Sequence, residues 1–259
     1  MLELILACVL GLLPGFALAA AAEDHGLAIA EEVDRRDSGW QDASATLEMI
    51  LRNKHGQESR RKLRIKTLEV TGDGDQSLTI FDSPRDVAGT AFLSYTHALI
   101  PDDQWLYLPA LKRVKRIASA NKSGPFVGSE FAYEDLSSAE VQKYHYQWLR
   151  DETLAGHHTH VLEEVPAYAH SGYTRRVVWI DQTMFAPLKV EFYDRKNALL
   201  KTLDFEDYAP YLEQYWRPGR MHMRNHQTGK STQLNWANYR FRNGLTTRDF
   251  DQNTLKRAR

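Results

Sequence analysis

Little in this chain offers covalent or catalytic chemistry of its own. Cys8 is the only cysteine in 259 residues, which excludes a disulfide framework and a cysteine-based metal site. The sequence contains no G-x-S-x-G elbow, no Walker loop and no H-E-x-x-H pair, so common hydrolase, nucleotide-binding and zinc-protease signatures are missing. An excess of one charge is missing too. Thirty-three basic and 34 acidic residues leave a net charge of −1, which gives nucleic acid no global field to follow. Strand patterns do not alternate with helical ones, so a Rossmann-like reading is out. Internal repeats and low-complexity tracts are also absent.

What is present is enough for a folded domain. Hydrophobic residues make up 42% and aromatics 11% of the chain, which excludes disorder as a global description. The length suits one large all-β domain or two small ones. The one long apolar run, Leu2 to Ala22, ends in the small-residue stretch Ala17–Ala22 and reads as a cleaved signal peptide over residues 1–22. Glu3 stands where a signal peptide usually has a cation; a retained membrane anchor is the rival reading, against which Gly11, Pro14 and Gly15 interrupt the run and alanines end it. Ile5–Cys8 superficially resembles a lipobox, but the apolar run continues past the cysteine. Export to the periplasm is therefore expected, with a mature chain that begins between Ala20 and Glu23 and holds no thiol.

After this run, Leu27, Ile29, Ala30 and Val33 recur among charges, which predicts a short amphipathic helix ending near Gly39. From Ala43 the period changes to two. Leu47, Met49 and Leu51, then Leu63 and Ile65, alternate with polar residues as half-buried strands do. Further strand patterns, separated by Gly and Pro turns, run to Phe241, and Asp249–Arg257 suits a closing helical turn. About eleven short strands in hairpin succession predict an antiparallel meander curled into a barrel or half-barrel.

The most unusual stretch is Asp103–Glu140. It opens with Trp105 and Tyr107, passes Pro109, and places Lys112, Arg113, Lys115 and Arg116 within five positions. A loop signal at Asn121–Pro125 follows, then Phe126, Phe131 and Tyr133, and Ser137–Glu140 has the form of a capping box. Loops of this length inside a domain are usually functional or mobile. The spacing of Leu111, Val114 and Ile117 suits a helix. The cations read either as a solvated sheet edge that discourages pairing or as a patch for anionic headgroups or an acidic partner, with Trp105, Tyr107, Phe126 and Phe131 at a lipid boundary.

Two other clusters invite chemistry. His158 and His160 on a strand would project from one face roughly 7 Å apart, yet no third ligand is identifiable, so a solvated face beside His157 is the plainer reading. Glu134 and Asp135 could serve as an acid–base pair, but they suit the start of a helix after the loop better.

The segments LYLPALKRVKRI (residues 106–117), GPFVGSEFAYEDL (124–136), GYTRRVVWID (172–181), PLKVEFYD (187–194) and YWRPGRMHM (215–223) together resemble the bacterial outer-membrane lipoprotein-sorting family, the LolA/LolB-like periplasmic carriers. The resemblance covers roughly residues 25–258 and implies one domain over 23–259. It also implies an unclosed antiparallel half-barrel with a helical lid and an apolar concave face that holds acyl chains, and a strand rather than a helix through Val114. On that expectation Leu47, Met49, Leu51, Leu63, Ile65, Trp179, Leu188, Val190, Phe192, Met221 and Met223 line the cavity. No cofactor or metal is implied. The expected protein is a monomeric, non-enzymatic carrier of lipoprotein or lipid acyl chains that touches membranes transiently. It would have no nucleic-acid partner, and an inner-membrane transporter is a candidate partner. An accessory subunit docking on an inner-membrane exporter and a lipid hydrolase are the alternatives.

Overall fold

The structure, a computed structural model, describes residues 14–257. Most of the expected signal segment, Cys8 included, lies outside the described residues. Helix α1 (Pro14–Arg36) contains the amphipathic stretch and ends just before Gly39 as expected. It starts earlier than the periodicity indicates, because the alanine-rich stretch before Glu23 is strongly helix-forming. Among the described residues no helix is long and apolar enough to cross a membrane.

Fifteen strands follow: β1 (Asp42–Arg52), β2 (Glu58–Leu68), β3 (Gln76–Ser83), β4 (Ala91–Tyr95), β5 (Asp103–Leu108), β6 (Arg113–Ile117), β7 (Tyr144–Leu154), β8 (His157–Pro166), β9 (Tyr173–Asp181), β10 (Pro187–Asp194), β11 (Leu199–Glu206), β12 (Ala209–Tyr211), β13 (Tyr215–Arg217), β14 (Arg220–Asn225) and β15 (Ser231–Phe241). A short helix α2 (Gln252–Leu255) closes the described chain. Thirteen strands form one sheet in the order β6-β5-β4-β3-β2-β1-β15-β14-β11-β10-β9-β8-β7, and β12–β13 is a separate hairpin. The first and last strands meet in mid-sheet. There the buried Asp42 carboxylate accepts the Asn243 N–H at 2.8 Å and the Gly244 N–H at 3.0 Å.

The two sheet edges, β6 and β7, are consecutive in sequence, so residues 118–143 span the opening between them. This is why the sheet is a half-barrel and not a barrel. Alternation sorts each strand onto two faces. Leu47, Met49, Leu63, Phe81, Phe92, Leu203, Met223 and Leu234 pack together on the concave side. On the convex side Leu78, Ile80, Ala91 and Leu93 are covered by Phe250 and Leu255 from the C-terminal segment. Helix α1 packs against β7, with Ile29 joining the concave core and Val33 packed against it. Gly26 makes this approach possible, since a Cβ there would sit 2.7 Å from the Trp148 backbone nitrogen.

Several details differ from the sequence-based expectation. Among the described residues the strands number fifteen because Pro218–Gly219 divides the stretch 215–225 into β13 and β14, and because short strands such as β12 carry little period. The expected helical lid contains no α-helix. Residues 118–143 instead make short 3-10 turns at Ser119–Asn121, Phe126–Gly128, Tyr133–Leu136 and Val141–Lys143. Ser137–Glu140 is not a capping box, because the Ser138 hydroxyl bonds the Glu140 carboxylate directly at 2.6 Å. Residues 113–117 are a strand despite their helix-like spacing, with a 3-10 turn at Pro109–Leu111 before them.

Candidate functional site

The concave face is divided along its length by the size of the residues each strand contributes. Toward one end β1, β2 and β3 present Leu47, Met49, Leu63 and Phe81. Toward the other the same strands present Ala43, Ala45, Thr67, Ser77 and Thr79. The large residues meet Phe126 and Phe131 of the bridging segment, each 2% exposed. The small ones leave a cavity of about 470 Å³.

The bridging segment is latched over the packed half. Lys201, on the concave side of β11, donates to the Glu130 carbonyl at 2.9 Å and to Asp135 at 2.6 Å. Its side chain is 4% exposed and that of Asp135 is 5%. Asp135 also accepts the Tyr173 hydroxyl at 2.7 Å. Glu134 accepts the Gly172 N–H at 2.8 Å and the Ser171 hydroxyl at 2.9 Å, while burial, then Asp135, pushes its carboxyl above the usual range. Arg61 donates to the Val127 carbonyl at 2.5 Å. Val127 has φ +46°, a costly conformation for a β-branched residue that persists only where its surroundings impose it. Burying Phe126 and Phe131 contributes about 1.5–3 kcal/mol each, and breaking a buried pair such as Lys201–Asp135 costs about 3–5 kcal/mol. The plug is therefore a firm part of the fold, and Glu134 and Asp135 are its fasteners.

The cavity lies where α1 ends, and the bridging segment also lines it through Phe131, Asp135 and Leu136. Val33, Arg36 and Asp37 come from the end of α1 or just beyond it. Met184, Phe185 and Pro187 come from the β9–β10 turn, and Trp216 and Arg217 from β13. Ile65, Phe205, Met221, Leu234 and Trp236 form the apolar wall. Tyr208 is held in place by donating to the Pro187 carbonyl at 2.6 Å, and Trp236 donates its indole N–H to the Met221 sulfur at 3.2 Å. At the rim Arg217 pairs with Asp37 at 2.5 Å, and Arg36 lies 4.0 Å over the Phe185 ring.

A second cavity of about 670 Å³ adjoins the first, and Val33, Asp37, Trp40, Asp75 and Ser138 line both. Its walls carry Asp34, Glu69, Asp73 and Glu140 beside Val70, Val141, Tyr146 and Ile180, so it is the more polar of the two. Burial pushes the Asp75 carboxyl up to about 7, with the Val70 N–H opposing and Glu140, Glu69 and Asp37 adding to the rise. Burial also raises the Asp37 carboxyl, against the pull of Arg217.

The residues expected to line the cavity are sorted by this division. Ile65 and Met221 do line it. Leu47, Met49, Leu63, Val190, Phe192 and Met223 share the concave face but sit in the packed core, with Leu51 against it. Leu188 is half-buried near the start of β10. Trp179 points the other way, into a convex cluster with Val161 and Val177, its ring 4.3 Å from the Lys189 ammonium. The run Val177–Ile180 is buried on both faces of β9, so an apolar pattern alone does not show which way Trp179 points. The expected membrane-facing group also separates. Trp105 and Tyr107 lie half-buried on the convex side near the C-terminal segment. Phe126 and Phe131 are core residues, and Phe131 also lines the cavity. Lys112, Arg113, Lys115 and Arg116 are exposed on or beside edge strand β6, where Arg116 pairs with Asp103. His157 bonds Asp181 at 2.7 Å and His160 bonds Asp151 at 2.8 Å. Among the described residues no group of three or more potential ligands comes together.

Sequence reasoning missed most of the real wall, including Trp216, Trp236, Phe205 and Phe185. One signal was available, since Ala43 and Ala45 continue the alternation of Leu47 and Met49 with side chains too small to fill the space.

An unclosed antiparallel half-barrel with an apolar pocket on its concave face places this molecule among the LolA-like proteins. A structure from Vibrio parahaemolyticus, described as that of an outer membrane lipoprotein-sorting protein domain, is 60% identical, with TM-score 0.89 over 90% of this chain and 99% of that one. A DUF1329 family protein from Desulfovibrio piger is 28% identical, with TM-score 0.85 over 90% of this chain and 99% of that one. A LolA superfamily protein from Nitrosomonas europaea shares the fold at 22% identity, with TM-score 0.71 over 88% and 98%. A family model described only as that of an uncharacterised protein matches residues 73–257. No match is found among curated proteins. The chain belongs to the outer-membrane lipoprotein-sorting, LolA-like family.

Proposed function

We propose that this protein is a non-enzymatic periplasmic carrier that shelters acyl chains of lipoproteins or lipids and moves them toward the outer membrane. The observation that carries this reading is the unfilled apolar half of the concave face. A wall of Ile65, Phe205, Met221, Leu234 and Trp236 opposes small residues, so a stable fold keeps about 470 Å³ for a guest. Such a space suits hydrocarbon, because apolar pockets gain from excluding water. The kinship with a domain described as lipoprotein-sorting supports the same assignment. The exposed cations of β6 would meet anionic headgroups during loading or release. A cleaved signal peptide over residues 1–22 fits a periplasmic location, and N-terminal sequencing of periplasmic material should find a first residue between Ala20 and Glu23.

The test is native mass spectrometry of the purified protein, followed by uptake of a fluorescent fatty acid after delipidation. Co-purified lipid and saturable uptake are expected. A lipid-free protein that never takes up the probe would sink the carrier reading and favour an accessory subunit docking on an inner-membrane exporter. Release of fatty acid from added phospholipid would instead indicate a hydrolase.

A further inference from the structure

Antiparallel pairing sends successive turns to opposite ends of the half-barrel, and the two ends differ in charge. The turns at the plugged end, residues 53–57, 84–90, 109–112, 167–172, 195–198 and 226–230, hold Lys54, Arg85, Lys112, Arg195, Lys196 and Lys230 against Asp86. The turns at the cavity end hold Asp37, Glu69, Asp73, Asp75, Asp102 and Glu213. Of the cations near them, Arg217 is spent on Asp37 and Lys143 on Asp102, which leaves Arg242 as an opposing charge. Charge divided along one axis orients a molecule before an anionic surface.

Four of the cations at the plugged end share one built surface. Gln227 donates to Asp194 at 2.8 Å and so joins the β14–β15 turn to the β10–β11 turn. Lys54 packs beside the first of these, since a Cβ on Gly229 would sit 3.4 Å from its own. Arg195, Lys196 and Lys230 line a groove floored by the plug between Ser123 and Ala132. The carboxylates of that groove are already engaged. Asp194 accepts the Lys196 N–H at 2.8 Å and the Ala198 N–H at 3.0 Å, and Glu130 accepts the Asn225 amide at 2.7 Å. Among the described residues none of the four cations forms an ion pair within the chain. The edge cations of β6 begin at the same end, with Lys112 and Arg113.

We infer that the plugged end is a docking face for an anionic phospholipid surface, on which the protein stands with its cavity mouth held away from the bilayer. Lipid phosphates supply the charge that Lys54, Arg195, Lys196 and Lys230 lack within the chain. The mouth has its own apolar tip, Leu99 and Ile100, 85% and 63% exposed. That loop is tied to Asp73 and Asp102 through the Ala98 and His97 N–H groups, and an anionic surface repels both carboxylates. The inference does not depend on what the cavity holds.

Flotation with phosphatidylethanolamine–phosphatidylglycerol vesicles, and with phosphatidylcholine vesicles as the neutral control, measures docking. Each cation at an anionic surface contributes about fivefold in affinity, so Lys196→Gln with Lys230→Gln should weaken binding about 25-fold, with Tm nearly unchanged. Uptake of a fluorescent fatty acid, which tests the carrier reading separately, should not change. Cys8 is the only cysteine, so in a Cys8→Ser chain His55→Cys places a single fluorophore at the plugged end and Leu99→Cys places one at the mouth. Lipids with spin-labelled headgroups should quench the first and leave the second unquenched. The inference is overturned if the label at the mouth is the one quenched, if anionic vesicles bind no better than neutral ones, or if the double variant binds as tightly as wild type. Displacement by inorganic phosphate at matched ionic strength would also overturn it, making the groove a site for a free anion.

Discussion

Met223 and Met221 lie two residues apart on β14 and face the same side, which makes them a controlled comparison between packed core and cavity wall. Met223 is 0% exposed, opposite Leu203 on β11 and Thr232 on β15. Met221 stands opposite Phe205 and Leu234 and lines the cavity. Truncating a fully packed methionine removes its transfer free energy and leaves a void, which together cost about 2–5 kcal/mol. At about 2–4 °C per kcal/mol for a chain of this size, Met223→Ala should lower Tm by roughly 5–15 °C. Met221→Ala only widens a space that exists already, so it should cost less than about 1.5 kcal/mol and keep acyl binding. Met221→Trp fills the space and should abolish uptake of a fluorescent fatty acid in a folded protein. Urea denaturation gives the stabilities and probe fluorescence gives the binding. Equal costs for the two alanine variants, or undiminished uptake by Met221→Trp, would refute the division of the concave face. Met49 could not make this distinction. It is buried beneath the plug, and a charge there would unfold the protein whether or not a cavity exists.

Three further outcomes follow from the same geometry. Lys201→Met strands Asp135 without its cation and should cost about 3–5 kcal/mol in urea denaturation, part of which Asp135→Leu in the same chain should restore; a cost below about 1 kcal/mol would show that the plug is not latched there. Because the Asp75 carboxyl is raised from 3.8 to about 7, the folded state keeps its proton where the unfolded chain has released it, so this contribution is full below pH 4 and is lost as pH rises through about 7. Asp75→Asn should therefore be more stable than wild type at pH 8 and show a shallower loss between pH 5 and 8, the raised Asp34, Asp37 and Glu140 carboxyls accounting for the remainder; parallel pH profiles would contradict this. Replacing Lys112, Arg113, Lys115 and Arg116 by glutamate should leave Tm nearly unchanged while weakening binding to anionic vesicles by roughly 1 kcal/mol per cation; indifference of vesicle binding would reduce the patch to a sheet edge.

The antiparallel meander was legible from period and turn chemistry because each hairpin announces itself locally, whereas its being open was implied only by the family resemblance. Asn53 and Gly56 show why: the Asn53 side chain accepts the His55 N–H at 2.9 Å and the Gln57 N–H at 3.1 Å, and Gly56 takes φ +80°. The β1–β2 register follows from that turn alone. The place of residues 118–143 was legible only as an interruption. Nothing local shows that Phe126 turns inward, since its burial depends on Phe81 and Phe92 arriving from β3 and β4 and on Arg61 holding the next carbonyl. An aromatic beside a run of cations reads equally well as a membrane anchor, and only the tertiary contacts decide.

The cavity was the hardest feature to read because it is made by what is small. A hydrophobic pattern identifies a concave face by its large residues, and those are the residues that close on one another. Ala43, Ala45, Ser77 and Thr79 look unremarkable in sequence, yet the ladders β1–β2–β3 set Ala43 beside Thr67 and Ser77, and Ala45 beside Ile65 and Thr79. The small side chains thus gather across three neighbouring strands, and no single strand can fill the gap they leave. The β12–β13 hairpin and the end of α1 could have plugged it with further apolar side chains. The hairpin brings instead Arg217 tied to Asp37, and the residue just before it, Tyr208, is tied to a backbone carbonyl; both are polar anchors that hold the surrounding elements in place without filling the centre. Leaving apolar walls unpacked forgoes the dispersion contacts a filled core would have, and the plugged half of the same sheet shows that this chain can fill a concave face where filling is all that is needed. That contrast between the two halves is what the carrier proposal rests on.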